Sequence, residues 1–303
     1  ALASSILTAS IPFDDVLASA AAALKQQPPD PNVPQAFTAL LNRRELQMGG
    51  PEAITRWSKV LDLALAAPRD DVQIAAVQQA RWMLYRMDNN SAPLPENMIA
   101  GARPAVLTAM FESSECNIWQ LRQAKLLGPL CQRLAQVFAT DDAAARKGAA
   151  LVLAAFLAKS VDAAPLRHWD DATGLEQARV LLGQMAAWTA AQPDGASLCA
   201  RLLEPLSPAS YQRLPATDWN EAPPEARLAA IATLAKVSDP ACAADVARFL
   251  AGLLRCDGRY GKPLAQTEPD LSRAIEFARE QVMTKGSPAD QTQVLVGAAQ
   301  SMD

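Results

Sequence analysis

The sequence predicts an all-α protein: an array of antiparallel helix pairs, an irregular HEAT/armadillo-like α-solenoid, with a compact irregular helical bundle as the alternative. Three observations lead there. Roughly a fifth of the residues are alanine, the strongest helix former. Apolar residues recur at spacings of three and four, as in Ile54, Trp57, Leu61 and Leu65. Proline cuts the chain at short intervals, and no stretch alternates Val, Ile or Thr as a half-buried strand would. The chain 1–303 is read as a single all-α domain, with sub-boundaries expected near 160–173 and 204–224.

Asp14 and Asp15 open a first helix running to about Gln26, since acids suit the positive end of a helix dipole. The run QQPPDPNVP ends it, because proline lacks an amide hydrogen and restrains the residue before it. A second helix is expected from Pro34 to Leu46, stopped by Gly49-Gly50, and Pro51-Glu52 open a third that stops before Pro68. Asp70-Asp71 start a long helix through Trp82 to Met87. Pro95-Glu96 repeat the Pro-Glu opening, and Pro104 is expected to kink or split the helix that begins there. Asn117 caps a helix whose buried stripe is Ile118, Leu127, Leu130, Leu134 and Phe138.

Thr140-Asp141-Asp142 is a cap signal for a helix reaching Lys159. It is apolar on most faces from Ala149 to Ala158, so it is expected to be central and buried. An irregular stretch, Ser160 to Thr173, precedes helices at Leu175–Ala191 and Ala196–Leu203. Five prolines between 204 and 224 make a second break. Further helices are expected near Glu225, Pro240, Pro269 and Ser287-Pro288. Two places are faintly alike: WDDATGLEQARVLL from Trp169 and WNEAPPEARLAAI from Trp219, each with a Trp, acids and an Ala-Arg pair, Ala178-Arg179 and Ala226-Arg227. No strict period emerges.

Composition narrows the function classes. Acids outnumber bases, 32 to 28, so the basic excess of a nucleic-acid binder is missing and none is expected as a partner. The most apolar run is far shorter than the roughly 20 residues a membrane span needs. The cysteines, Cys116, Cys131, Cys199, Cys242 and Cys256, are odd in number and form no CxxC pair. Cys131, Cys199 and Cys242 fall in helical text as small hydrophobes. This argues for a reducing, cytoplasmic compartment, or a host cytosol if the chain is a delivered effector. With one histidine and no ligand spacing, neither a metal nor any cofactor is expected. The opening ALASSILTAS has no basic region and no initiator Met, and reads as the start of a domain cut from something longer.

Two segments carry candidate chemistry. His168, Trp169, Asp170 and Asp171 sit together in an expected loop, where His168 beside Asp170 has the residue types of a general base. The simpler reading is that an aspartate caps the next helix while Trp169 anchors the loop. The second segment is Arg255-Cys256-Asp257-Gly258-Arg259-Tyr260-Gly261-Lys262. Its cations would lower a thiol pKa and favour the thiolate of Cys256, or bind an anion. The Cys256-Asp257 pair resembles the loop cysteine beside an acid in helical thiol transferases, including one class of bacterial ubiquitin ligase, and no longer motif matches. The simpler reading is a helix C-terminus ended by Gly258. Arg255, Arg259, Tyr260 and Lys262, with Trp169 and Trp219, are the binding candidates. No P-loop, GxSxG, HExxH or GxGxxG occurs.

The function expected is a scaffold presenting a helical-repeat surface to another protein, more a binder than an enzyme. The alternatives are a bacterial effector-type cysteine-dependent transferase and a helical domain of a secretion or assembly machine. A preference for Arg over Lys within Ala-rich text is compatible with a GC-rich bacterial genome.

Overall fold

The structure, a computed structural model, describes residues 12–42, 51–76, 102–112, 127–161, 172–206, 222–256 and 268–300. Among them there are helices and turns and no strand, so the protein is all-α there. The chain divides into two compact units, Ala1–Arg133 and Leu134–Asp303. The expected sub-boundaries fall partly on 162–171 and 207–221, outside the described residues.

The first unit holds α1 (Phe13–Leu24), α2 (Val33–Leu41), α3 (Pro51–Leu65) and α4 (Pro104–Glu112). Asp14 and Asp15 sit in the first turn of α1, as the dipole argument requires. Its stripe Val16, Ala20, Ala23 is buried, and α1, α2 and α3 pack on one another around Phe37, Trp57 and Leu61. Trp57 is fully buried, and its indole N–H meets no acceptor among the described residues. α2 ends at Leu41 instead of near Leu46. Residues 70–76 are helical, but the rest of the helix expected through Met87, and the one opening at Pro95, lie outside the described residues. Gln73 ties this corner together: its amide donates to the carbonyls of Leu65 at 2.6 Å and Ala67 at 3.0 Å. A kink or a split is expected at Pro104, and a helix boundary lies there. Residues 102 and 103 are non-helical and Pro104 begins α4, where its missing N–H costs no bond.

α5 (Leu127–Phe138) runs across the division between the units. The second unit continues with α6 (Ala143–Val161), α7 (Ala172–Ala191), α8 (Ala196–Leu203) with a short 3-10 turn (Glu204–Leu206), α9 (Pro224–Leu234), α10 (Ala243–Cys256), α11 (Pro269–Lys285) and α12 (Pro288–Gln300). Asp142 caps α6, accepting from the Ala144 amide at 2.9 Å. α6 buries Ala149, Ala150 and everything from Val152 to Leu157, so it is central, as its all-round apolar text predicts. Cys131 lies in α5 and Cys199 in α8; Cys242, expected in a helix, sits in the turn before α10.

Packing in this unit obeys one rule. Each helix lies against the helix two places along the chain: α6 on α8, α8 on α10, α10 on α12, and likewise α7 on α9 and α9 on α11. Polar ties join like ends of these neighbours. At the starts, Lys147 pairs with Asp194 at 2.9 Å, Ser197 with Asp245, and Arg227 with Glu268. At the ends, Lys236 donates to the Gln192 carbonyl at 3.4 Å and Ser238 to Gln281 at 3.3 Å. Stacked helices therefore run parallel, and successive helices, joined by the short turns 192–195, 235–242 and 286–287, run antiparallel. The result is two layers, one of α6, α8, α10 and α12 and one of α7, α9 and α11. α8 touches α6, α7, α9 and α10 and buries six of its residues, Cys199 among them. α12 approaches α10 so closely that a β-carbon on Gly297 would lie 2.5 Å from the Ala251 carbonyl oxygen.

Candidate functional site

Most residues singled out in the sequence lie outside the described residues: His168, Trp169 and Asp170 in 162–171, Trp219 in 207–221, and Asp257, Arg259, Tyr260 and Lys262 in 257–267. Their neighbours fix the topology. These three long connections all join the C-terminal ends of one layer (α6, the 3-10 turn, α10) to the N-terminal ends of the other (α7, α9, α11). Those described helix ends lie along one edge of the unit. Cys256 is the last residue of α10 and Arg255 stands in its last turn.

Arg255 belongs to a charged cluster on α8 and α10. Its guanidinium donates to the Ala251 carbonyl at 3.3 Å and lies in the field of Glu204. Arg248 reaches Asp245 at 3.2 Å and Glu204 at 3.8 Å, and Asp245 also pairs with Ser197. Burial pushes the Glu204 carboxyl above its ordinary value. Arg248 opposes that shift, Asp245 adds to it, and Arg255 and Arg201 oppose it. The acids and arginines offset one another, so the cluster fastens α8 to α10. Cys131, Cys199 and Cys242 are buried, and burial raises the thiols of Cys199 and Cys242. Neither has the lowered pKa of a thiolate nucleophile. No group of His, Cys, Asp and Glu among the described residues could hold a metal ion. Nor is any described helix long and apolar enough to cross a membrane.

The feature that needs an explanation is the outer face of the α7, α9, α11 layer. Its three helices share a register. Buried positions repeat at i, i+4, i+7 and i+11: Ala178, Leu182, Met185 and Thr189 on α7; Ala226, Ala230, Thr233 and Val237 along α9 and its final turn; Leu271, Ile275, Ala278 and Val282 on α11. At 100° per residue, positions i+2 and i+9 point directly away from that core, and i+6 lies about 50° to one side of that direction. They carry Val180, Leu228 and Phe277, which are 49%, 69% and 47% exposed. Ala187, Ala232 and Ala235 are exposed between them. Single exposed apolar residues are ordinary; these three stand on the outward sides of three stacked helices as a diagonal, spread patch, because Gly183 faces Pro223 and Lys236 reaches Gln192, which sets Val180 and Leu228 more than a turn apart along the helix axes.

Sequence reasoning did not single out this patch, although a signal for it was present. The two Ala-Arg pairs that mark α7 and α9 as alike immediately precede Val180 and Leu228, so the faint repeat already aligns two members of the patch.

No family model matches this chain, and no curated protein matches it in sequence. Among solved structures it is similar to two crystal structures, each described as an engineered protein. One is 14% identical with a TM-score of 0.47, covering 94% of this chain and 98% of that one. The other is 14% identical with a TM-score of 0.42, covering 94% and 96%.

Proposed function

We propose that residues 134–303 form a protein-binding scaffold of the irregular HEAT/armadillo-like α-solenoid type. Parallel stacking of every second helix, with antiparallel partners between, is the arrangement by which helix pairs build a continuous binding surface. The observation that carries the functional reading is the patch of Val180, Leu228 and Phe277. Three large apolar side chains in water on one layer are what a partner would bury, and a few such anchors dominate a typical interface.

The test is affinity capture from a cell lysate with three forms of the full chain: wild type, a Val180→Ser/Leu228→Ser/Phe277→Ser variant, and Cys256→Ser. A stoichiometric partner is expected with wild type and Cys256→Ser and lost from the triple variant. A partner retained by the triple variant, or lost from folded Cys256→Ser, would overturn the reading.

A further inference from the structure

We propose that the free side of α12 is a two-fold interface between two copies of this chain, their α12 helices packed antiparallel. Among the described residues α12 closes its layer: it stacks on α10 and touches α11. Asp290, Val294 and Gly297 are buried on that side. At about 100° per residue, Pro288, Thr292, Leu295, Val296 and Ala299 point the other way, with Ala289 at the margin, and all six are exposed. Leu295 is 51% and Val296 49% exposed. This side is distinct from the layer that carries Val180, Leu228 and Phe277, so it does not depend on the scaffold reading.

The first argument is polarity. The last helix of a stack ordinarily turns a polar side to water, and α12 does not. Its single charged residue, Asp290, is on the buried side, where the Ser287 hydroxyl donates to it at 2.7 Å. The Thr292 hydroxyl donates to the Pro288 carbonyl at 2.8 Å, and the Gln291 amide donates to the Met283 and Gly286 carbonyls at 3.3 and 3.2 Å. A side without charge selects neither an acidic nor a basic partner. It also meets no like charge when set against itself, as a two-fold contact requires.

The second argument is shape. The exposed stripe is self-complementary when reversed. α12 is centred on Val294. About a two-fold axis there, Thr292 of one copy comes level with Leu295 and Val296 of the other, and Pro288 and Ala289 come level with Ala299. A smaller side chain thus meets larger ones on either side of the axis, and small ones meet at both ends. The helix axes can then approach closely, as Gly297 already permits on α10. A helix of 13 residues is about 20 Å long and about 10 Å across, so the contact falls well below the roughly 800 Å² a side of a standard interface, and the dimer is weak and concentration-dependent.

The test is sedimentation equilibrium of the full chain at concentrations up to about 500 µM, where a monomer–dimer equilibrium is expected. Val296→Glu alone and Thr292→Lys alone should each weaken it at least tenfold, because each places a charge in the contact twice per dimer. In an equimolar mixture of the two variants, the new carboxylate of one lies opposite the new ammonium of the other, and the dimer should return. Leu228→Glu, on the other layer, should leave the equilibrium unchanged. Unchanged melting temperatures would show that the variants fold. A chain that stays monomeric at every concentration, a dimer that survives either single variant or is lost from Leu228→Glu, or a mixture that stays monomeric overturns the proposal.

Discussion

Glu204 shows how one residue's surroundings set a measurable property of the protein. Burial raises its carboxyl pKa from the ordinary 4.5 more than Arg248, Arg255 and Arg201 lower it. The native state therefore binds this proton more readily than the unfolded chain does. In the window between 4.5 and the raised value, its contribution to stability falls as pH rises. Asp71 has the opposite sign: its bond to Arg69 holds it below 3.8, so its contribution is present above 3.8 and is lost as pH falls through the lowered value. Replacing Glu204 by Gln removes the penalised charge. The variant's melting temperature is expected to match the wild type's near about pH 4 and to exceed it near about pH 7, where the wild-type carboxyl is ionised. Thermal scans across that range check this, and a difference shrinking toward neutrality would show that the arginines dominate. None of this was legible in the sequence. Glu204 stands forty-four residues from Arg248 in the numbering, and only the stacking of α8 on α10 brings them together.

At the scale of the element, legibility tracked how local the determining physics is. Helix starts were readable because a cap or a proline acts within one turn: Asp142, Pro51 and Pro288 each stand where an element begins or is capped. The burial of α6 was readable because no polar face interrupts Ala149 to Leu157. The exposed face of α7, α9 and α11 was not, because an apolar residue in helical text looks the same whether or not a neighbour covers it. Pro104 was legible as a break in helix but not as a start, since proline at a first turn and proline inside a helix differ only in what precedes them. Leu153 and Phe156 on α6 are fully buried. Leu153→Asp places an unpaired carboxylate there, at a cost of more than about 4 kcal/mol. The variant is expected to be insoluble or unfolded by circular dichroism, whereas recovery with an unchanged melting temperature would mean that α6 is peripheral.

For the whole molecule, the described residues are helices joined by turns, and the far-ultraviolet circular dichroism of the full chain should give more than about half helix, against roughly a third for an average globular protein. A strand content above about a tenth would contradict the all-α assignment. The parallel stacking of every second helix in 134–303 has a consequence for how this unit comes to be folded. Each helix finds its principal neighbours one or two helices away along the chain, so native contacts stay local compared with a fold that pairs distant segments, and their loop-closure cost is lower. Assembly can start at any adjacent pair and spread outward in both directions, with α8, which touches four helices, as the stretch most often reached early. Helices with a stacked neighbour on one side only among the described residues are then held by fewer contacts, and the close seat of Gly297 on the Ala251 backbone gives α12 a tight grip on the one helix it stacks on, α10.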